Sequence, residues 1–251
     1  MFIRTPRLEI YPAHIEQNTR EVVELCHLRG IQVAGVCKVV CAHPAVVRAM
    51  QAGGVDMLAD SRILNLQSLA GSGINLPTML LRIPAPHRAA DIVRAADISL
   101  NSSVNTIAQL SQAAVFYGSR HKVIIMVDVG DLREGVWPDR AEEVVRGAAS
   151  LPNIDVIGLG TNLACYGGVI PTVEKMQMLI DIRNQCRKTT GLALDVLCGG
   201  NSANLPLLAE GGMPPEINLL RIGEAIILGR NVLDRSAWPG TRQDTFKVVA
   251  E

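Results

Sequence analysis

With 251 residues and 48% hydrophobic content, the chain has enough apolar side chains for one large domain or two ordinary ones, which excludes a disordered protein. Lys plus Arg and Asp plus Glu both number 24, so there is neither a basic field for nucleic acid nor an acidic tail, and small molecules become the expected partners. The N-terminus lacks a signal-peptide apolar block, no apolar run approaches the roughly 20 residues of a membrane span, and six cysteines show neither C-x-x-C pairs nor zinc-ligand spacing; a soluble, cytoplasmic protein with free thiols and no metal site is expected.

The first predicted element is a helix near 14–29, where Ile15, Val22, Val23 and Leu25 follow partial helical spacing. Short β-branched runs then recur as strands at Val33 to Cys37, Asp56 to Ala59, Thr78 to Ile83, Asp97 to Leu100, Lys122 to Val127, Asp155 to Gly160, Ala193 to Cys198 and Ile217 to Ile222. Helical stretches lie between them near 44–52, 62–71, 87–95, 103–117, 139–150, 172–189 and 203–210, each opening close to a Pro, Ser, Asn, Asp or Thr start signal. This alternation predicts an α/β protein, a parallel sheet closed into a (β/α)8 TIM-type barrel, with an open doubly wound sheet as the competing arrangement. After Gly229 the pattern shifts. The end, Thr245-Phe-Lys-Val-Val-Ala-Glu, has strand character but no evident partner: either it pairs with Arg7-Leu-Glu-Ile-Tyr or the natural chain continues. The expected division is therefore a barrel over 1–230, with 231–251 a linker and the first strand of a truncated C-terminal β-domain.

Barrel enzymes place ligand groups just after strand C-termini, and the unusual polar residues fall there. Lys38 is the only Lys, Arg, Asp or Glu between Arg29 and Arg48, and follows the first barrel strand. Such an ammonium must be paired, solvated at the strand end, or shifted toward a neutral, nucleophilic amine. Arg82 closes a later strand; Asp128, Asp131 and Arg133 follow the next but one; Asn162 and Tyr166 come after Gly160. Gly199, Gly200, Asn201 and Ser202 precede a short helix, and Gly223 and Glu224 follow the last strand, so backbone N–H groups and a hydroxyl can converge on a phosphate. The plain reading of that segment is a tight turn with a helix cap; for Lys38 it is a snorkelled or salt-bridged side chain, and for Arg221 a salt bridge with Glu216 or Glu224. An amine near a phosphate site is the arrangement that pyridoxal phosphate needs.

Gly35-Val-Cys-Lys-Val-Val, Gly160-Thr-Asn-Leu-Ala-Cys-Tyr-Gly-Gly, Gly199-Gly-Asn-Ser-Ala and Leu220-Arg-Ile-Gly-Glu-Ala-Ile-Ile-Leu-Gly occur in this order. In combination they resemble the alanine racemase family, fold-type III pyridoxal phosphate enzymes. Asp60-Ser-Arg, Asp97-Ile-Ser-Leu-Asn and Val127-Asp-Val-Gly-Asp-Leu-Arg-Glu-Gly bring it nearest the branch of predicted amino-acid racemases that includes ornithine racemase. The resemblance implies a homodimeric, pyridoxal-phosphate-dependent racemase in which Lys38 is the Schiff-base lysine and one of two bases. It further implies that Ser202 with the backbone of Gly223 and Glu224 holds phosphate, Arg221 faces the pyridine nitrogen, and Arg133 lies near the cofactor's phenolic oxygen. Asn162 stands where alanine racemases carry a histidine packing on the cofactor ring, and Asn201 belongs to the same cofactor-binding set.

Family racemases also carry a C-terminal β-domain that supplies a tyrosine to the partner subunit's site. Racemisation needs a base on each face of the carbanion, and Lys38 serves one. The expectation is that residues 1–251 bind the cofactor but racemise poorly. Asp128, Asp131, Glu134 and Glu224 offer negative charge at the mouth for a distal ammonium, as of ornithine or another basic amino acid, or else make local salt bridges. The competing functions are a single-domain pyridoxal phosphate carrier without turnover and a phosphate-binding barrel enzyme without this cofactor.

Overall fold

The structure is a computed structural model that describes residues 5–164 and 168–250. Eight strands, β2 (Gln32–Val36), β3 (Met57–Asp60), β4 (Thr78–Leu80), β5 (Ile98–Asn101), β6 (His121–Met126), β7 (Ile154–Gly160), β8 (Val196–Gly200) and β9 (Leu219–Ile222), pair in chain order and close into a barrel. Every pairing is parallel, and β2 closes the ring on β9 through Gln32↔Leu219 to Gly35↔Ile222. The closed barrel excludes the open doubly wound sheet.

Strand alternation builds two cores. Inward-facing Ala34, Val36, Met57, Ala59, Met79, Leu100, Ile124, Met126 and Cys198 fill the barrel interior as one cluster. Their neighbours Val33, Leu58, Leu80, Val123, Ile125, Leu159, Leu197 and Leu220 face outward onto the helices. Those helices are α1 (Pro12–His27), α2 (Pro44–Ala52), α3 (Ile63–Leu69), α4 (Ala89–Ala95), α5 (Val104–Phe116), α6 (Ala141–Ala149), α7 (Val173–Thr190), α8 (Leu205–Ala209) and α9 (Glu224–Leu228). α1 shows the logic: Ile15, Thr19, Val22, Val23 and Cys26 are buried on one stripe, while Glu16, Arg20 and Glu24 lie off it. The Pro44 and Thr172 signals work as expected. His43 accepts from Ala45 N–H (3.3 Å) ahead of Pro44, and Thr172 Oγ1 accepts from Lys175 N–H (3.3 Å).

The terminal strand has the N-terminal partner that the sequence offered. β10 (Phe246–Val249) pairs antiparallel with β1 (Arg7–Ile10) through Arg7↔Val249 to Ile10↔Phe246. The segment leading to it is tied to the barrel by Asn18, whose amide donates to Ile226 O (3.0 Å) and Arg242 O (2.8 Å) and accepts from Arg242 N–H (2.6 Å). Trp238 and Thr245 are buried along the way.

Candidate active site

A cavity of about 510 Å³ opens at the C-terminal ends of the barrel strands. Lys38, Arg133, Asn162, Asn201, Ser202, Arg221, Gly223 and Glu224, scattered over nearly 190 positions of sequence, all line it. Arg82, Glu134 and Arg235 line it too. Arg82 was visible as a strand-end charge; nothing in the sequence marks Arg235, which arrives from the segment after α9. Tyr166 lies outside the described residues. Tyr11 hydrogen-bonds Glu9 (3.0 Å) on the β1–β10 ribbon and Tyr117 lies under Arg94, so neither serves the cavity.

β2 ends at Val36, and Lys38 opens a single 3-10 turn, Lys38–Val40. Its side chain is exposed and makes no ion pair among the described residues. Of the options for a lone ammonium, the structure shows solvation at the strand end. Its neighbour Cys37 is buried, with Sγ 3.5 Å from Asp60 Oδ2; burial first, and the Asp60 charge second, push this thiol well above its ordinary range. A protonated, enclosed thiol is a poor nucleophile, which leaves the amine as the reactive group of this turn.

The adjoining strand β9, paired with β2 at Ala34↔Arg221, carries a polar floor. Arg221, on β9 and only 5% exposed, donates through Nη2 to Thr161 O (2.6 Å) and Asn162 Oδ1 (3.4 Å). Neither Glu216 nor Glu224 pairs with it; Glu224 instead binds Arg235, so the salt-bridge reading of Arg221 gives way to a backbone contact. Asn201 Nδ2 donates to the same Asn162 Oδ1 (3.0 Å) and to Leu163 O (2.8 Å), while its own Oδ1 accepts from Ala203 N–H (2.8 Å). The network locks Asn162 and Asn201, yet Arg221 Nε and Asn162 Nδ2 are buried donors without a partner among the described residues. Buried donors are nearly always satisfied, so these two suit a ligand that brings acceptors.

Beside this floor, β8 and β9 bring Ser202 and Gly223 together, with Gly223 N–H donating to Ser202 Oγ at 3.3 Å. Gly223 stands immediately before α9, whose first turn carries no side-chain cap, so N–H groups there remain available to an anion. The cavity's charged lining is cationic in balance: Lys38, Arg82, Arg133, Arg221 and Arg235 against Glu134 and Glu224. Buried acceptor-seeking donors, a hydroxyl-and-backbone cradle and an exposed amine together fit a phosphorylated aldehyde and an amino-acid carboxylate.

The Alanine racemase, N-terminal domain family matches residues 10–231. Among curated relatives, lysine racemase of Thermotoga maritima is 38% identical over 246 residues, 98% of this chain and 69% of its own length. Ornithine racemase of Acetoanaerobium sticklandii is 37% identical over 247 residues, with the same two coverages. Among solved structures, a Clostridium difficile alanine racemase in complex with cycloserine superposes with a TM-score of 0.82 at 19% identity, covering 99% of this chain and 68% of that one. D-threonine aldolase from Filomicrobium marinum gives a TM-score of 0.78 at 15% identity, covering 98% of this chain and 67% of that one.

Proposed function

The chain belongs to the alanine racemase N-terminal domain family, and from that premise we propose that it is a pyridoxal-phosphate-dependent amino-acid racemase acting on a basic amino acid such as lysine or ornithine. The observation that carries the reading is the convergence of an exposed lysine, a hydroxyl-and-backbone anion cradle and unpartnered buried donors in one cavity at the barrel mouth. Lys38 would hold the cofactor covalently, Ser202 with the N–H groups of Gly223 and Glu224 its phosphate, and Arg221 its ring nitrogen. Asn162 and Asn201 fix the floor beneath it. When bound, the cofactor supplies an electron-withdrawing ring that acidifies the Cα–H bond of an attached amino acid.

The protein's own part is positioning and proton transfer. The Lys38 amine reaches the site from the β2 side and holds the proton taken from Cα on one face. Arg221 would donate a guanidinium hydrogen bond to the ring nitrogen and leave that nitrogen without a proton of its own, which would weaken the electron sink and restrain side reactions. Arg133 offers a charge-assisted contact to the substrate carboxylate or the cofactor's phenolic oxygen. Racemisation also requires a proton carrier on the opposite face, and the two phenols within the described residues, Tyr11 and Tyr117, are engaged elsewhere.

In this reading residues 1–230 are the cofactor-binding barrel, and 231–251 are a linker and a strand that pairs with β1 outside the closed sheet. A homodimer accords with the exposed apolar Val39, Leu132, Trp137 and Ile170, all in segments that follow barrel strands at the mouth. No helix among the described residues is long and apolar enough to cross a membrane. The free described cysteines favour a reducing, cytoplasmic setting. A carrier without turnover is set aside, because the chain matches lysine and ornithine racemases over 98% of its length.

The test has two arms. Borohydride should fix pyridoxal phosphate to the peptide containing Lys38 in wild type and not in Lys38→Ala. Optical rotation of L-lysine and L-ornithine should decay with wild type. A colourless protein with no fixed cofactor overturns the reading, and alanine as sole substrate overturns the substrate choice.

A further inference from the structure

Four carboxylates near the mouth could receive the distal ammonium of a diamino acid: Asp128, Asp131, Glu134 and Glu224. The structure separates them. Asp128 is consumed by its own loop, Oδ1 accepting from Gly130 N–H (2.7 Å) and Leu132 N–H (3.2 Å). Asp131 is buried and does not line the cavity. Glu224 lines it but is ion-paired with Arg235. Glu134 lines the cavity, is half-buried, and makes no ion pair among the described residues.

Glu134 is also held in place. The loop after β6 folds back on its strand: Asp128 N–H donates to Val136 O (2.9 Å), and Val136 N–H donates to Met126 O (2.9 Å). Gly135 makes that return possible at φ +120°, where a Cβ would lie 2.6 Å from Asp128 N. From α7, Lys175 Nζ donates to Val129 O (2.6 Å) and pins the loop's outer limb. The segment is therefore braced from within and from a neighbouring helix, and it presents Arg133 and Glu134 as adjacent opposite charges on the cavity wall.

We propose that Glu134 is the specificity-determining residue of this site, receiving the distal ammonium of a lysine- or ornithine-like substrate. The inference rests on the racemase reading above and names what selects the substrate within it. A cavity otherwise rich in cations repels a side-chain ammonium, so one uncommitted carboxylate fixed on its wall decides whether a diamino acid or its uncharged analogue is preferred. Asp128 and Lys175 act through the loop, as positioning residues for Glu134.

The experiment compares wild type, Glu134→Gln and Glu134→Asp with L-lysine and L-norleucine, the analogue whose side chain has the same four carbons and lacks the ammonium. Racemisation kinetics are followed together with calorimetric titration of the cofactor-loaded protein. In Glu134→Gln the selectivity for lysine over norleucine should fall about tenfold to a hundredfold, expressed in KM and in the calorimetric Kd more than in kcat, with partial recovery in Glu134→Asp. Borohydride-fixed cofactor on Lys38 should be retained in all three, which separates substrate recognition from loss of the holoenzyme. Wild-type selectivity in Glu134→Gln overturns the proposal and leaves the racemase reading standing. Absence of both fixed cofactor and turnover in wild type overturns the reading beneath it.

Discussion

Replacing Arg221 with Met separates a cofactor contact from a structural one. The guanidinium is 5% exposed, its Nη2 donates to Thr161 O at 2.6 Å and more weakly to Asn162 Oδ1, and its Nε has no partner among the described residues. A hydrogen bond to a charged donor contributes about 1.5–3 kcal/mol, so removing it destabilises the fold by that order. Against this stands the cost of burying a cation that has no carboxylate beside it, itself several kcal/mol. The two terms nearly cancel, and the melting temperature of cofactor-free Arg221→Met should lie close to wild type, at about 2–4 °C per kcal/mol for a chain of this size. Pyridoxal phosphate should behave otherwise. If Arg221 supplies one charged hydrogen bond to the ring nitrogen, its loss weakens binding by about 1.5–3 kcal/mol, roughly tenfold to a hundredfold in Kd. Thermal melts with and without added pyridoxal phosphate, backed by equilibrium dialysis, measure both quantities on one sample. Two outcomes refute the reasoning: a large loss of stability in the cofactor-free variant, which makes the guanidinium a structural brace, or an unchanged cofactor affinity.

Two predictions concern the scaffold. His121 is buried and shares a 2.8 Å hydrogen bond with Ser99 Oγ, and burial lowers its pKa from 6.5 to about 4 despite the opposing charge of Asp97. Between those values the unfolded chain binds a proton that the folded chain does not, so the stabilisation present above pH 6.5 is lost as pH falls toward about 4, by about 3 kcal/mol. Urea midpoints should therefore drop less on acidification in His121→Gln than in wild type; equal slopes would show that His121 contributes nothing to the pH dependence. Asn18→Ala deletes three hydrogen bonds, two that hold the segment before β10 at Arg242 and one to Ile226 O of α9, at a cost of about 2–4 kcal/mol. Amide exchange in 242–249 should accelerate while β2 to β9 stay protected, and uniform exchange would mean that the ribbon and barrel open together.

The barrel was legible because parallel strands covered on both faces must be apolar throughout, and such runs stand out between Gly, Pro and Asp. All eight barrel strands lie where the β-branched runs put them; their ends differ, most at β4, where the expected 78–83 stops at Leu80, and at β8, where the expected 193–198 becomes Val196–Gly200. The elements that escaped were short. α9 has five residues, continues directly from β9 after Gly223, and carries an Ile-Ile-Leu run that reads as more strand than helix. The pairing of β1 with β10 was open in the sequence because four-residue strands separated by most of the chain leave no local signal of contact.

The site was legible to the same depth, and for the same reason. In a closed parallel barrel the strand C-termini all face one mouth, so polar residues placed after different strands are brought together by topology alone. That is why Lys38, Arg133, Asn162, Asn201, Ser202, Arg221, Gly223 and Glu224 meet in one cavity although no local pattern relates them. Which partner each charge takes obeys no such rule. Asp128 and Glu134 are six positions apart in one loop; the first spends its carboxylate on the N–H groups of Gly130 and Leu132, and the second keeps its own for the cavity. The difference arises where backbone donors left unpaired by the departing strand are met by the nearest acceptor, and that is a property of the loop's path. A sequence reports the charges a mouth contains; only the folded loop determines which of them is left for a substrate.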